Sequence, residues 1–180
     1  MIQEEFKFFK PCKLLQPYVR YYWVFNSCQM MNTYTFPIGC PQIIFHKRTP
    51  LFIPELNTTQ NRLTISGQVN FSSHLKADDD VEMIVAVFYP HTMNMFLNTP
   101  ASIFYNKEVS GYDIEDKHLN ELAMQVFDCA DNNRCVTLIE EWLLSQLSTK
   151  PTDMVYRVNR MSAAIEKLLA APHTLVTELS

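Results

Sequence analysis

Five histidines, five cysteines and a run of three aspartates are the side chains of this 180-residue chain with the most chemistry to offer. His46, His74, His91, His118 and His173 are scattered, and no H-x-H pair with a following Glu supplies the clustered imidazoles and carboxylate of a metal site. Only a convergence of His46, His74 and a carboxylate in space leaves a route to metal binding. Cys40, between Gly39 and Pro41, is the cysteine most suited to exposure on a turn, but no catalytic cysteine signature surrounds it. A small buried thiol is the plainer reading. Cys12, Cys28, Cys40, Cys129 and Cys135 are odd in number and contain no C-x-x-C pair, so neither a disulfide framework nor a zinc ribbon is indicated. Asp78, Asp79 and Asp80 are consecutive rather than alternate, which suits a solvated turn and not a calcium loop. Hydrolase elbows, P-loops and G-x-G-x-x-G turns are absent. No metal, cofactor or catalytic residue is therefore assigned.

Aromatic density is more informative. Tyr18, Tyr21, Tyr22, Trp23 and Phe25 fall within eight residues, and Phe45, Phe88 and Tyr89 lie on other segments of strand-like sequence. Their rings can either fill a core or line a concave apolar cavity with a few hydroxyl handles. For a cavity, Tyr21, Trp23, Phe45 and Phe88 are the candidate walls and His46 the polar handle. A register error of one residue would turn any of them to the other face.

The elements that must position these residues follow from periodicity. From Phe6 to about Tyr89 the pattern is that of strands. Val19, Tyr21, Trp23 and Phe25 alternate with Arg20, Tyr22, Val24 and Asn26, giving one apolar and one mixed face. Gln42–Lys47, Leu51–Ile53, Leu63–Val69 and Phe71–Leu75 are further strands, and Glu82–Tyr89 is apolar on both faces, as in a doubly covered strand. Pro100–Gly111 does not decide between strand and loop. From Asp116 the period becomes helical. Leu119, Leu122, Ala123, Val126 and Phe127 share one face, Val136, Ile139, Trp142, Leu143 and Leu147 another, and Asp131, Asn132 and Asn133 form the turn between. A final helix begins with Thr152 or Asp153 as cap and carries Met154, Val155, Val158, Met161, Ile165, Leu168 and Leu169 on one stripe. Pro172 stops it, and Thr174 can cap a second, short helix.

Composition bounds the function. A net charge of -4 argues against binding nucleic acid through general charge. The N-terminus, MIQEEFKFFK, is acidic where a signal peptide is basic, and the longest apolar run, Met83–Tyr89, is too short to span a bilayer. A cytoplasmic protein with no membrane partner is expected.

Several segments taken in order resemble the N-terminal part of AraC-type transcription regulators with a cupin-like amino-terminal domain. They are PCKLLQPYVRYYWVF at Pro11–Phe25, FPIGCPQIIFH at Phe36–His46, Gly67 in SGQV, VAVFYP at Val85–Pro90, TPASIFYNKEV at Thr99–Val109, and the closing helix with TLVTELS. The resemblance implies a barrel sensor for a small-molecule effector, helices that dimerise or pass the signal, and a pair of helix-turn-helix motifs for DNA. A helix-turn-helix reads bases through its second helix, and no Lys or Arg follows Lys167, so this polypeptide alone is not expected to bind DNA specifically. DNA would be reached only through a C-terminal domain missing from this chain.

The resulting expectation is an α+β chain. Residues 1–112 form a small antiparallel, cupin-like β-barrel or sandwich, residues 113–150 an antiparallel helix pair for dimerisation or signal transmission, and residues 151–180 the beginning of an incomplete helix-turn-helix domain. The expected function is the effector-binding and dimerisation portion of an AraC-type regulator, acting as a homodimer without catalysis. Leu119, Leu122, Val126, Ile139, Trp142 and Leu143 are the candidate dimerisation residues, since such a stripe can be buried against a second copy. The competing readings are a cupin-like metal-dependent enzyme and a pure oligomerisation module with a filled barrel.

Overall fold

Ten strands and three helices make up the computed structural model of the chain, which describes residues 4–171. The strands are β1 (Glu5–Phe9), β2 (Val19–Ser27), β3 (Met31–Thr35), β4 (Gln42–His46), β5 (Phe52–Ile53), β6 (Thr58–Thr59), β7 (Leu63–Ser66), β8 (Ser73–Ala77), β9 (Val81–Phe88) and β10 (Glu108–Ser110). The helices are α1 (Lys117–Asp128), α2 (Asn132–Ser148) and α3 (Thr152–Ala170). A six-stranded antiparallel sheet has the order β1-β2-β9-β4-β7-β10, and a four-stranded sheet the order β3-β8-β5-β6. Neither sheet closes on itself, so the α+β architecture is a sandwich and not a barrel.

The larger sheet is covered on both faces. Ile84, Ala86 and Phe88 of β9 point into a core shared with the helices, whereas Val81, Met83, Val85 and Val87 belong to a second core between the sheets. Strict alternation along β9 and its neighbours separates the two cores. On β2 the alternation is interrupted. Pairing with β9 shifts between Val19 and Tyr21, leaving Arg20 as an irregularity. Val19 consequently joins Tyr22 and Val24 in the helical core, not Tyr21, Trp23 and Phe25 on the other face as unbroken alternation predicts.

The helices close the outer layer. Asp116 Oδ1 accepts from Leu119 N at 3.0 Å to cap α1, and Asp131 Oδ1 accepts from Asn133 N at 3.0 Å to cap α2. The predicted turn thus shifts two residues earlier, to Cys129–Asp131, because Asn132 and Asn133 are already helical. Leu119, Leu122, Val126, Ile139, Trp142 and Leu143 are all buried within this protomer, against the sheet. This corrects their assignment to a dimer interface: the stripe that would meet a second copy is consumed by the chain's own β layer. Cys12 N donates to Glu140 Oε1 at 2.8 Å, tying the β1–β2 connection to α2.

Helix α3 starts one residue earlier than a Thr152 cap requires. Pro151 occupies the capping position, without a side-chain hydrogen bond. Met154, Val155 and Val158 pack on the helical core, but Met161, Leu168 and Leu169 of the same expected stripe are exposed. The helix is held by Ser162, which donates from Oγ to Pro17 O at 2.9 Å. With its proton committed there, Ser162 Oγ accepts from His91 Nε2 at 3.0 Å. Pro172 and the second helix expected from Thr174 lie outside the described residues. Among those described, no helix is long and apolar enough to cross a membrane.

Replacing Ser162 by Ala leaves the Pro17 carbonyl and the His91 N–H without this partner, a cost of roughly 1–3 kcal/mol. Hydrogen exchange on S162A is expected to accelerate throughout α3 and to leave β9 unchanged. Unchanged protection in α3 would show that the serine does not anchor the helix.

Candidate functional site

The face of the larger sheet that looks toward the smaller one does not fill the space between them. A cavity of about 280 Å³ remains. Its shape follows from one row of paired residues: Tyr21 opposes Val87, Val87 opposes Gln42, Gln42 opposes Ser66, and Ser66 opposes Glu108. Of these, Tyr21, Gln42, Ser66 and Glu108 line the cavity. Its wall is therefore aromatic at the β2 end and polar at the β7–β10 end.

At the aromatic end β1 adds Phe6 and Phe8. Cross-strand pairing places Phe8 opposite Trp23 and Phe6 opposite Phe25, and the rings meet diagonally as well. The Phe8–Tyr21 centroids are 5.7 Å apart, Phe6–Trp23 5.9 Å and Phe6–Phe25 4.5 Å. Phe6 and Phe8 are 57% and 65% exposed while lining the cavity, and Phe36, from the segment before Gly39, is 75% exposed and also lines it. An aromatic surface this open places the mouth between β1 and the β3–β4 connection. Leu51, Ile53 and Leu75 of the smaller sheet's side complete the apolar wall.

At the polar end a hydrogen-bonded chain fixes every group. Gln60 Nε2 donates to Glu108 Oε2 at 2.9 Å, and Ser66 Oγ donates to Glu108 Oε1 at 2.9 Å. The Gln60 amide oxygen then faces His46, 2.7 Å from Nε2, so the imidazole carries its proton on Nε2 and donates it. His46 Nδ1 is buried without a hydrogen-bond partner. Burial lowers the His46 pKa to about 4, against the Gln60 bond, so the ring is neutral at pH 7. Burial likewise raises the Glu108 carboxyl above its ordinary value, while the bonds from Gln60 and Ser66 pull it down.

Two glycines bring Glu108 to this place. A Cβ on Gly67 would lie 1.7 Å from the carbonyl oxygen of Phe104, so only glycine lets the 3₁₀ turn Ala101–Phe104 cross the end of β7. Gly67 N and Lys107 O are then joined at 3.1 Å, which leads directly into β10. At the other end of β10 a Cβ on Gly111 would meet Leu63 Cγ at 2.3 Å.

Of the residues expected at a ligand site, Tyr21 and Trp23 line the cavity. His46 stands behind its wall, in contact through Gln60. Phe45 and Phe88 are not brought there: both are fully buried in the helical core, where the Phe88 ring lies 5.5 Å from that of Phe96. Phe45 follows the inward-facing Ile44 and precedes the inward-facing His46, so strand alternation sends it to the opposite face. Gln60, Ser66 and Glu108 were missed, since Glu108 sits in the segment whose sequence does not choose strand or loop. Gly67 beside Ser66 was the available signal, being one of only three glycines in the chain.

The remaining chemistry is dispersed. His74 Nδ1 lies 2.8 Å from Glu55 Oε1 on the smaller sheet's side and shares no partner with His46, and His118 Nδ1 lies 3.4 Å from Glu121 Oε2 on α1. Cys40 lines the cavity with its thiol 3.6 Å from Arg20 Nη1. Among the described residues no group of three or more His, Cys, Asp or Glu is placed to hold a metal ion.

The model of one protein family, described as a domain of unknown function (DUF6597), matches residues 7–110, more than half of the chain. The matched stretch runs from β1 to β10 and contains every residue that lines the cavity except Phe6. Comparisons with curated proteins and with solved structures return no match.

Two outcomes follow from this geometry. Gly67→Ala should displace the 101–110 segment and destabilise the chain by about 1–3 kcal/mol, as overpacking does; a denaturation midpoint equal to that of the wild type would contradict the close approach. His46 takes up a proton less readily folded than unfolded, so its contribution to stability is present above pH 6.5 and lost as pH falls toward 4. That loss is roughly 3 kcal/mol, and His46→Gln should remove it. Denaturant curves of the two proteins that fall in parallel across this window would show the imidazole to be solvated.

Proposed function

The chain belongs to the DUF6597 family, and we propose that its sandwich is a small-molecule sensor, the effector-binding part of a regulator of the AraC type. The cavity between the sheets carries this reading. A volume of about 280 Å³ lies at the lower end of ligand pockets, and the mixture of aromatic walls with a few fixed polar groups is what orienting a small compound requires. The same void counts against a pure oligomerisation module, whose interior would be filled by side chains.

The resemblance of Pro11–Phe25, Phe36–His46 and Thr99–Val109 to the N-terminal part of AraC-type regulators supplies the regulatory side. Its counterpart in the fold is α3. The helix follows the sandwich and α1–α2, and is tied by Ser162 to Pro17, next to the strand that contributes Tyr21 and Trp23 to the wall. A ligand that moves β2 therefore has a short route to α3. Binding, not turnover, is the activity assigned. Pairing of two copies, where it occurs in this reading, uses a surface other than the six buried residues of α1 and α2.

A thermal-shift screen of the purified chain against cytosolic metabolites tests the reading. A compound at a hundred times its dissociation constant should stabilise the native state by about 2.7 kcal/mol, and Trp23→Ala should abolish the shift. A compound that stabilises wild type and W23A equally binds elsewhere and would contradict it.

A further inference from the structure

The cavity wall holds one carboxylic acid and no cationic side chain of its own; Arg20 reaches the wall at the Cys40 thiol, 3.6 Å away, and not at the acid. Among the described residues that line it there is no Lys, Arg or His, and Glu108 is the only charged side chain. The nearest imidazole, His46, is held neutral and is bonded to Gln60, not to the carboxylate. Each carboxylate oxygen accepts one hydrogen bond, from Gln60 or from Ser66, and both donors are neutral. An ionised carboxylate has about four acceptor directions, so roughly two stay open. Glu108 is only partly buried and its free surface contributes to the cavity wall.

A partly buried acid held by two neutral donors is oriented but not compensated. At the other end of the row the wall is aromatic, with Phe6, Phe8, Tyr21 and Trp23, and aromatic rings can hold cations against their faces. We infer that the occupant is a compact amphipathic cation: a protonated amine whose N–H groups take the open acceptor positions of Glu108 and whose apolar body lies toward Tyr21, Trp23 and Ile44. Gln42, in the row between them, gives a secondary hydrogen-bonding position for a polar substituent. The site disfavours an anionic ligand, because one Gln60 N–H and the Ser66 O–H are already directed to Glu108 and an ionised carboxylate repels a second anion.

This inference rests on the sensor reading, and its test separates the two. Calorimetry on the full chain is performed with three probes of similar shape: 2-phenylethylamine, 2-phenylethanol and 3-phenylpropionate. The amine is expected to bind most tightly and the carboxylate not at all. Glu108→Gln, which keeps shape and the capacity to hydrogen-bond, should weaken the amine roughly ten- to a hundredfold while leaving the alcohol within about threefold. Retained alcohol binding also shows that the variant is folded. Binding of the alcohol or the carboxylate in preference to the amine by wild type would overturn the cation assignment while leaving a ligand cavity in place. Failure of all three probes to bind, or amine binding unaffected by both E108Q and W23A, would overturn the assignment and the sensor reading together.

Discussion

A strand with apolar side chains on both faces has to be covered twice, and that requirement on β9 organises this protein. Val81–Phe88 supplies alternate residues to two separate cores. One side is closed by the helix pair, whose whole apolar stripe is used for the purpose. The other side is closed by the smaller sheet, which is four strands wide against six and includes two strands of only two residues. The helical side is filled; the sheet side retains a cavity. The asymmetry places the cavity on one face and the helical layer on the other, with β2 contributing to both through Tyr21 and Trp23 on the cavity side and Tyr22 and Val24 on the helical side.

The polar end depends on a second constraint, the closeness of two backbones. Gly67 allows the Ala101–Phe104 turn to pass over β7, and β10 then completes the sheet with Glu108 opposite Ser66. A carboxylate placed there is costly unless its oxygens are engaged. Gln60 and Ser66 engage one acceptor position on each, and His46 engages the other end of the Gln60 amide. The chain His46–Gln60–Glu108 thereby couples the inner wall of β4 to β10 without any charge other than that of the acid.

Much of this architecture was legible in periodicity. Val81–Phe88 reads as doubly covered because it is apolar at consecutive positions, and α1 and α2 declare themselves by Leu119, Leu122, Val126 and by Ile139, Trp142, Leu143. What those helices pack against was not legible, since an apolar stripe looks the same whether a sheet or a second protomer covers it. Tyr21 and Trp23 were found as wall residues from aromatic density. Phe45 and Phe88 carry the same signal and face the other way, because in a doubly apolar strand hydrophobicity no longer distinguishes the faces. Val19 failed for a different reason: a single irregularity at Arg20 reverses the parity of everything before it. Glu108 was beyond reach, its partners lying 42 and 48 positions away at Ser66 and Gln60.

The proposed ligand chemistry depends on the acid in the cavity wall, and its ionisation can be observed directly. Titration of the Glu108 side-chain carboxyl carbon by NMR in the unliganded chain should give a midpoint above the ordinary glutamate value of 4.5, since burial without a facing cation disfavours the charged form. A midpoint at or below 4.5 would mean that the carboxylate is solvated or already paired with a positive charge, and would contradict the account of the site.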